Sequence, residues 1–180
     1  MEWLLYGAYG YTGKLIIEEA LKHGLKPVIA GRNGEKVKAL AEKKDLEHEI
    51  FDLEKEEKIN SIISEYDIIF NAAGPFKHTN LPLVKACLRG ETNYLDITGE
   101  IGVFEQNFSF QQEAINKDIA IISGVGFDVV PSDCLSVYLS DQILNPHELE
   151  LGILALSQSS PGTMKTMIEN IPHAVVVRRD

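Results

Sequence analysis

Short apolar runs, each followed by an amphipathic stretch, recur along this chain, and that alternation narrows its folds more than any other feature. The runs are Trp3–Tyr6, Val28–Ala30, Glu49–Phe51, Asp67–Ala72, Tyr94–Ile97 and Ile119–Ser123. They are strand-sized and rich in Ile, Leu, Val, Phe and Tyr, without strict polar alternation. Strands buried on both faces read this way. Strand–helix alternation of this kind implies right-handed βαβ crossovers and a mostly parallel sheet. The expected fold is therefore α/β, built on a mostly parallel sheet.

The intervening stretches carry helical stripes. Leu15-Ile16, Glu19-Ala20 and Leu21 mark the first, with Gly24 as its C-terminal cap and Glu18–Lys22 as an i,i+4 ion pair. Val37, Leu40 and Ala41 mark the second, and Ile59, Ile62 and Ile63 the third. Leu83, Val84, Cys87 and Leu88 mark the fourth, closed by Gly90. Phe104, Phe108, Gln111-Gln112 and Ile115 mark a fifth. Beyond it the pattern changes. Pro131-Ser132-Asp133 starts a helix expected to run to about Leu144. Glu148–Leu156 alternates like a half-exposed strand, Gly162–Asn170 is helix-like and Val175–Val177 strand-like. The expected organisation is one α/β domain over 1–145 and the start of a second, truncated domain over 146–180.

Charge excludes two classes of partner. Against 17 Lys+Arg stand 27 Asp+Glu, a formal net charge of -10, which repels nucleic acid and anionic membrane surfaces. The apolar runs fall far short of a membrane span, and Glu2 begins no leader-like segment. Two cysteines are too few for a secreted disulfide framework, so the expected compartment is the cytoplasm.

The first run leads into Gly7-Ala8-Tyr9-Gly10-Tyr11-Thr12-Gly13, a G-x-x-G-x-x-G loop that ends a strand and opens a helix. In that context Gly7 permits a tight turn, Gly10 admits a pyrophosphate and Gly13 lets helix and strand pack closely. The helix N-terminus then offers free N–H groups to the phosphates. A P-loop is excluded, because Ala8 stands where its first glycine belongs and Leu15 where its Ser or Thr belongs.

NAD-binding folds usually carry an acid at the end of the second strand. Here that end reads Ala30-Gly31-Arg32-Asn33. Gly31 leaves room and Arg32 supplies a guanidinium for a 2′-phosphate, so NADP is the expected cofactor and NAD the alternative. The bland reading of Arg32 is a solvated loop residue. Asp52, at the third strand end, is an adenine contact or a helix-capping acid. At the fourth, Asn71-Ala72-Ala73-Gly74-Pro75-Phe76 is small enough for a ribose or nicotinamide to lie on the backbone. Phe127 and Asp128 are candidate walls of the nicotinamide site.

Taken in order, Gly7–Gly13, Gly31-Arg32-Asn33, Gly74-Pro75-Phe76, Tyr94-Leu95-Asp96-Ile97-Thr98-Gly99-Glu100 and Gly126-Phe127-Asp128 with Pro131-Ser132-Asp133 resemble the saccharopine dehydrogenase-like oxidoreductases, a family that includes the trans-acting enoyl reductases. The likeness runs from Trp3 to about Asp133. It implies an N-terminal Rossmann domain over 1–145, a doubly wound parallel sheet binding NAD(P), and a following α+β domain, begun at 146–180, with substrate contacts and often a homodimer interface. The expected cofactor contacts are Gly7, Tyr9, Gly10, Tyr11, Thr12, Gly13, Arg32, Asn33, Asp52, Ala73, Gly74, Pro75, Phe76, Gly99 and Phe127. Tyr9 and Cys134 depart from the family's usual Thr and Leu.

Other chemistries lack their residues. None of the six tyrosines has a lysine four positions on, so the short-chain dehydrogenase Tyr-x-x-x-Lys pair is missing. The five histidines show no metal-ligand spacing, so no metal is expected. Cys87 lies on an apolar stripe and is expected in the core. Cys134 is either buried in its helix or a nucleophile with a lowered pKa, burial being the simpler reading. Lys77 and His78 are candidate proton donors or plain loop residues. No catalytic residue is assigned. The expected activity is hydride transfer between nicotinamide and a small-molecule imine, enoyl or carbonyl substrate, by a longer protein of which this fragment alone is inactive. A non-catalytic, redox-sensing dinucleotide module is the alternative.

Overall fold

A computed structural model describes residues 1–152 together with Met164 and Ile168. Strands β1 (Trp3–Tyr6), β2 (Val28–Gly31), β3 (His48–Ile50), β4 (Ile68–Asn71), β5 (Asn93–Asp96) and β6 (Ile121–Ile122) alternate with helices. The helices are α1 (Tyr11–Lys22), α2 (Gly34–Lys44), α3 (Glu56–Ile63), α4 (Phe76–Gly90), α5 (Ile101–Phe108), α6 (Gln111–Asn116) and α7 (Val130–Gln142). The sheet is six-stranded and all parallel, in the order β3-β2-β1-β4-β5-β6. Chain direction across the sheet reverses between β1 and β4, where an open α/β sheet leaves a crevice at its carboxyl edge.

Side-chain alternation along β1 explains its unbroken apolar run. Leu4 and Tyr6 belong to one core cluster with Ile59 and Ile63 of α3 and Leu83, Val84 and Cys87 of α4. Leu5 belongs to the other, with Ile17 of α1 and Val37, Leu40 and Ala41 of α2. Successive strand residues point to opposite faces, so a strand covered by helices on both sides must be apolar throughout.

Several helix details differ from the periodicity. In α1 the buried positions are Gly13, Ile17 and Ala20, while Leu15 is exposed. Gly24, with φ of 72°, follows the helix as expected. Helix α4 ends at Gly90, but the left-handed residue beyond it is Glu91. Lys22 pairs with Glu19 at 2.8 Å and Glu18 with Lys44 of α2 at 3.3 Å, so the expected Glu18–Lys22 pair is not made. The fifth stripe divides into α5 and α6, which turn Val103, Asn107 and Ala114 inward and leave Phe108 and Ile115 exposed. Helix α7 runs from Val130 to Gln142, within two residues of the end expected near Leu144. Of the strand expected over Glu148–Leu156, residues 148–152 are not strand, and the rest lies outside the described residues. Within Gly162–Asn170 the described residues are Met164 and Ile168, both helical, and Val175–Val177 lies outside them.

Both cysteines are free thiols. Cys87 is fully buried, and burial alone raises its thiol pKa. Cys134 is exposed on α7, which buries no residue, so the expectation of a buried Cys134 fails for want of a packing partner. A thiol reagent is therefore expected to modify Cys134 promptly in the native chain and Cys87 only after denaturant is added, as read by mass spectrometry.

Candidate functional site

The glycine turn sits at the reversal point. Gly7 has φ of 87°, and a Cβ there would lie 2.8 Å from the Cβ and N of Ala73, so the β1 and β4 loops are in direct contact. The N–H groups of Gly7 and Ala8 both donate to the Ala30 carbonyl, at 2.9 and 3.2 Å, tying the turn to β2. A Cβ on Gly13 would lie 2.5 Å from the Gly7 carbonyl oxygen and 2.7 Å from that of Ala8. The first turn of α1 therefore presses onto the loop. Gly10 is the N-cap of α1 and supplies no capping side chain, and no acid lies in the first turn. The free N–H groups and the positive end of the helix are left for an external anion. Tyr11 is exposed and Thr12 half-buried beside them.

On the β2 side, the room expected at Gly31 is taken. A Cβ there would lie 2.6 Å from Cε1 of Tyr9, so the Tyr9 ring lies across this glycine. Lys36 places its Nζ 5.8 Å from the centre of the same ring, within cation–π reach. Asn33 caps α2 by accepting the Lys36 N–H at 3.0 Å, so its side-chain oxygen has a structural task. Asp52 Oδ1 accepts the Glu54 N–H at 3.1 Å, a local turn bond. Arg32 and Lys36 are exposed, and neither has a carboxylate partner within ion-pair distance among the described residues.

Tyr6 lies beneath this corner, its hydroxyl donating to the Phe51 carbonyl at 3.3 Å. Burial first, then the neighbouring Tyr9 and Asp52 against an opposing Arg32, push its pKa up to about 12. The fold therefore favours the neutral phenol. That contribution is complete below the ordinary tyrosine value near 10 and is lost as pH rises to about 12. Alkaline titration followed by tyrosinate absorbance and circular dichroism is expected to show Tyr6 ionising with loss of structure, and Tyr6→Phe to reduce that loss.

On the β4 side a buried polar network holds the loops. The Asn71 amide donates to Thr79 Oγ1 at 3.1 Å and to the Tyr94 hydroxyl at 3.0 Å, and its oxygen accepts the Ala73 N–H at 3.0 Å. The Thr79 hydroxyl donates to the Ala73 carbonyl at 2.7 Å. Asp96, with no exposed surface, accepts the N–H groups of Thr98 and Gly124 at 3.0 and 3.1 Å and the Ser123 hydroxyl at 3.0 Å. Burial raises the Asp96 pKa, and these donors pull it back in part. Thr98 Oγ1 accepts the Glu100 N–H at 3.0 Å, and the Glu100 carboxylate accepts the N–H groups of Phe76 and Lys77 at 2.8 and 3.0 Å. Pro75 and Phe76 are buried, whereas Gly74, Gly99 and Phe127 are exposed. Lys77 and His78 are exposed in the first turn of α4. Among the described residues no group of three His, Cys, Asp or Glu could hold a metal, and no helix is long and apolar enough to cross a membrane.

A family model described as saccharopine dehydrogenase NADP binding domain matches residues 3–122, two-thirds of the chain. The chain belongs to this NADP-binding family. It is similar to the human saccharopine dehydrogenase-like oxidoreductase, 25% identical over 78% of this chain and 37% of that protein. The trans-acting enoyl reductase of Mycobacterium bovis is 29% identical over 75% of this chain and 34% of that protein. The chain thus spans little more than a third of the curated relatives it matches. Apo saccharopine dehydrogenase (L-Glu forming) from Saccharomyces cerevisiae shares the fold with a TM-score of 0.67 and 17% identity, over 78% of this chain and 31% of that one. AtPrR2, solved with NADP+ and (+)pinoresinol, does so with a TM-score of 0.51 and 16% identity, over 67% and 49%.

Within this family domain, the Tyr94–Glu100 motif that carries the resemblance is mostly scaffold. Asp96, Thr98 and Glu100 are buried: Asp96 binds the loop after β6, Glu100 binds the start of α4, and Thr98 links the two within their own loop. Asn71, Asn80 and Tyr94 join them, and sequence reasoning assigned none of the six a role. A polar residue closing an apolar run, as Asn71 and Asp96 do, is the signal that could have found two of them. Lys36 was passed over because one lysine among many on a helix surface carries no mark.

Proposed function

We propose that this chain binds NADP at the carboxyl edge of its sheet and serves, within a longer protein, as the cofactor domain of an oxidoreductase. The observation that carries this reading is the pairing of an uncapped α1 N-terminus with two cations, Arg32 and Lys36, that lack ion-pair partners among the described residues. The helix end suits a pyrophosphate, and the cations suit a 2′-phosphate. Gly7 and Gly13 let the β4 loop and α1 pack directly onto the β1 loop, with no Cβ between them. Tyr9 offers an aromatic face between the two, and Ala73 and Gly74 form the opposite wall, backed by the buried Pro75 and Phe76.

When bound, the nicotinamide supplies the hydride for an imine, enoyl or carbonyl substrate. The chain's own residues bind and orient the cofactor, and the remaining substrate contacts belong to a following domain. Helix α7 supports such a continuation, because it leaves Leu135, Val137, Tyr138 and Leu139 exposed. A homodimer through that second domain and a small-molecule substrate complete the reading.

Isothermal titration of the chain with NADPH and NADH tests the proposal. NADPH is expected to bind tighter, and Arg32→Ala to weaken NADPH by roughly 30-fold, about 2 kcal/mol, while NADH changes less than three-fold. Equal losses for both cofactors would remove Arg32 from 2′-phosphate recognition. Absence of binding by the wild-type chain would overturn the function.

A further inference from the structure

The two helices that begin beside the reversal point are finished in opposite ways. Helix α1 leaves its first N–H groups without a side-chain cap. Helix α4 also lacks a cap of its own, its N-cap being Pro75, yet its first N–H groups are occupied. The occupant is the Glu100 carboxylate, which arrives from the loop after β5 and bonds Phe76 N–H at 2.8 Å and Lys77 N–H at 3.0 Å. Glu100 is 8% exposed, so these are charge-assisted bonds shielded from water. Its backbone is held in turn by Thr98, and Thr98 by Asp96, which anchors the loop after β6 through Ser123 and Gly124.

This chain of bonds ends on the turn that faces the glycine loop. Ala73 touches Gly7, and the bond from Glu100 is made at Phe76, two residues beyond Gly74. With Arg32 and Lys36 marking the β2 side as the adenosine end, the β4 turn lies toward the nicotinamide end. The Glu100 charge also sets the electrostatics. A carboxylate already seated on α4 repels a phosphate there, and the diphosphate is left to α1 alone.

We infer that Glu100 is a positioning residue that holds the Gly74-Pro75-Phe76 turn in the shape receiving the nicotinamide half of the cofactor. The inference rests on the NADP reading above. The test compares Glu100→Gln with the wild-type 180-residue chain by calorimetric titration of NADPH and of adenosine 2′,5′-bisphosphate, which carries the adenosine end without nicotinamide. Glutamine keeps one acceptor oxygen but turns an N–H donor toward the second helix N–H. NADPH affinity is expected to fall roughly ten-fold, with adenosine 2′,5′-bisphosphate unchanged within about two-fold. Equal losses for both ligands would reduce Glu100 to a structural role and overturn the inference, as would no loss for either. If Glu100→Gln does not fold, Thr98→Val, which removes the acceptor for the Glu100 N–H and leaves the carboxylate, is expected to show the same split at smaller size. Failure of both variants to fold would likewise mark the pair as structural. A wild-type chain that binds neither ligand would overturn the NADP reading itself, and the inference with it. One that binds both while Glu100→Gln matches it would overturn the inference only.

Discussion

Gly13→Ala is expected to cost about 3 kcal/mol of stability and to weaken NADPH binding by at least 100-fold, on the order of what overpacking against backbone produces. A methyl group there would stand 2.5 Å from the Gly7 carbonyl oxygen and 2.7 Å from that of Ala8. Both neighbours are backbone, so no side chain can swing aside. Relief requires α1 to move off the loop, and its free N–H groups move with it. The change also gains helix propensity, worth ~1 kcal/mol for Gly to Ala in a helix interior, so a stabilised variant would show that the contact is soft. Urea denaturation and calorimetric titration read the two effects separately. Gly102→Ala in α5 is the control, because a Cβ there meets nothing within 4 Å.

Asp96→Asn is expected to lower stability by about 3 kcal/mol at neutral pH, through donors left without acceptors. The carboxylate serves the N–H groups of Thr98 and Gly124, the Ser123 hydroxyl and, at 3.4 Å, the Asn80 amide. An Asn side chain has a single acceptor oxygen, and its NH2 would face a donor. The pH dependence follows from the raised Asp96 pKa, whose first cause is burial. The folded state holds the Asp96 proton more tightly than the unfolded state. Its contribution to stability is therefore complete below the ordinary aspartate value of 3.8 and lost as pH rises through the folded value. The stability difference between wild type and Asp96→Asn is expected to widen as pH falls from neutral toward 4. A difference that narrowed on acidification would show that the donors outweigh burial.

What could be read in the residues was local or periodic. The strand runs emerge as β1 to β6 within one or two residues at most ends, because burial on both faces demands continuous apolar sequence. The glycine spacing announces a turn followed by a helix, since Gly13 meets the backbone of Gly7 and Ala8 a few residues away, whereas the contact of Gly7 with Ala72 and Ala73 of the β4 loop has no local signal. Asn33 was placed in the cofactor site, and the cap it makes was equally local, three residues from its partner. Periodicity failed where two helices share one stripe. Phe108 and Ile115 have helical spacing, but the break between α5 and α6 rotates them to the surface.

The order of elements, the glycine turn and the absence of an acid after β2 were thus determined by the chain itself, because each rests on contacts short in sequence or on a period of two or 3.6 residues. The partners of individual polar groups were decided only by the tertiary structure. Tyr9 covers Gly31, Glu18 chooses Lys44 over Lys22, Asp96 reaches Ser123 and Glu100 caps α4 from 24 residues away. Such pairings have no period. They exist because parallel crossovers bring the ends of distant strands to one edge, where buried donors and acceptors must be satisfied by whatever that edge supplies.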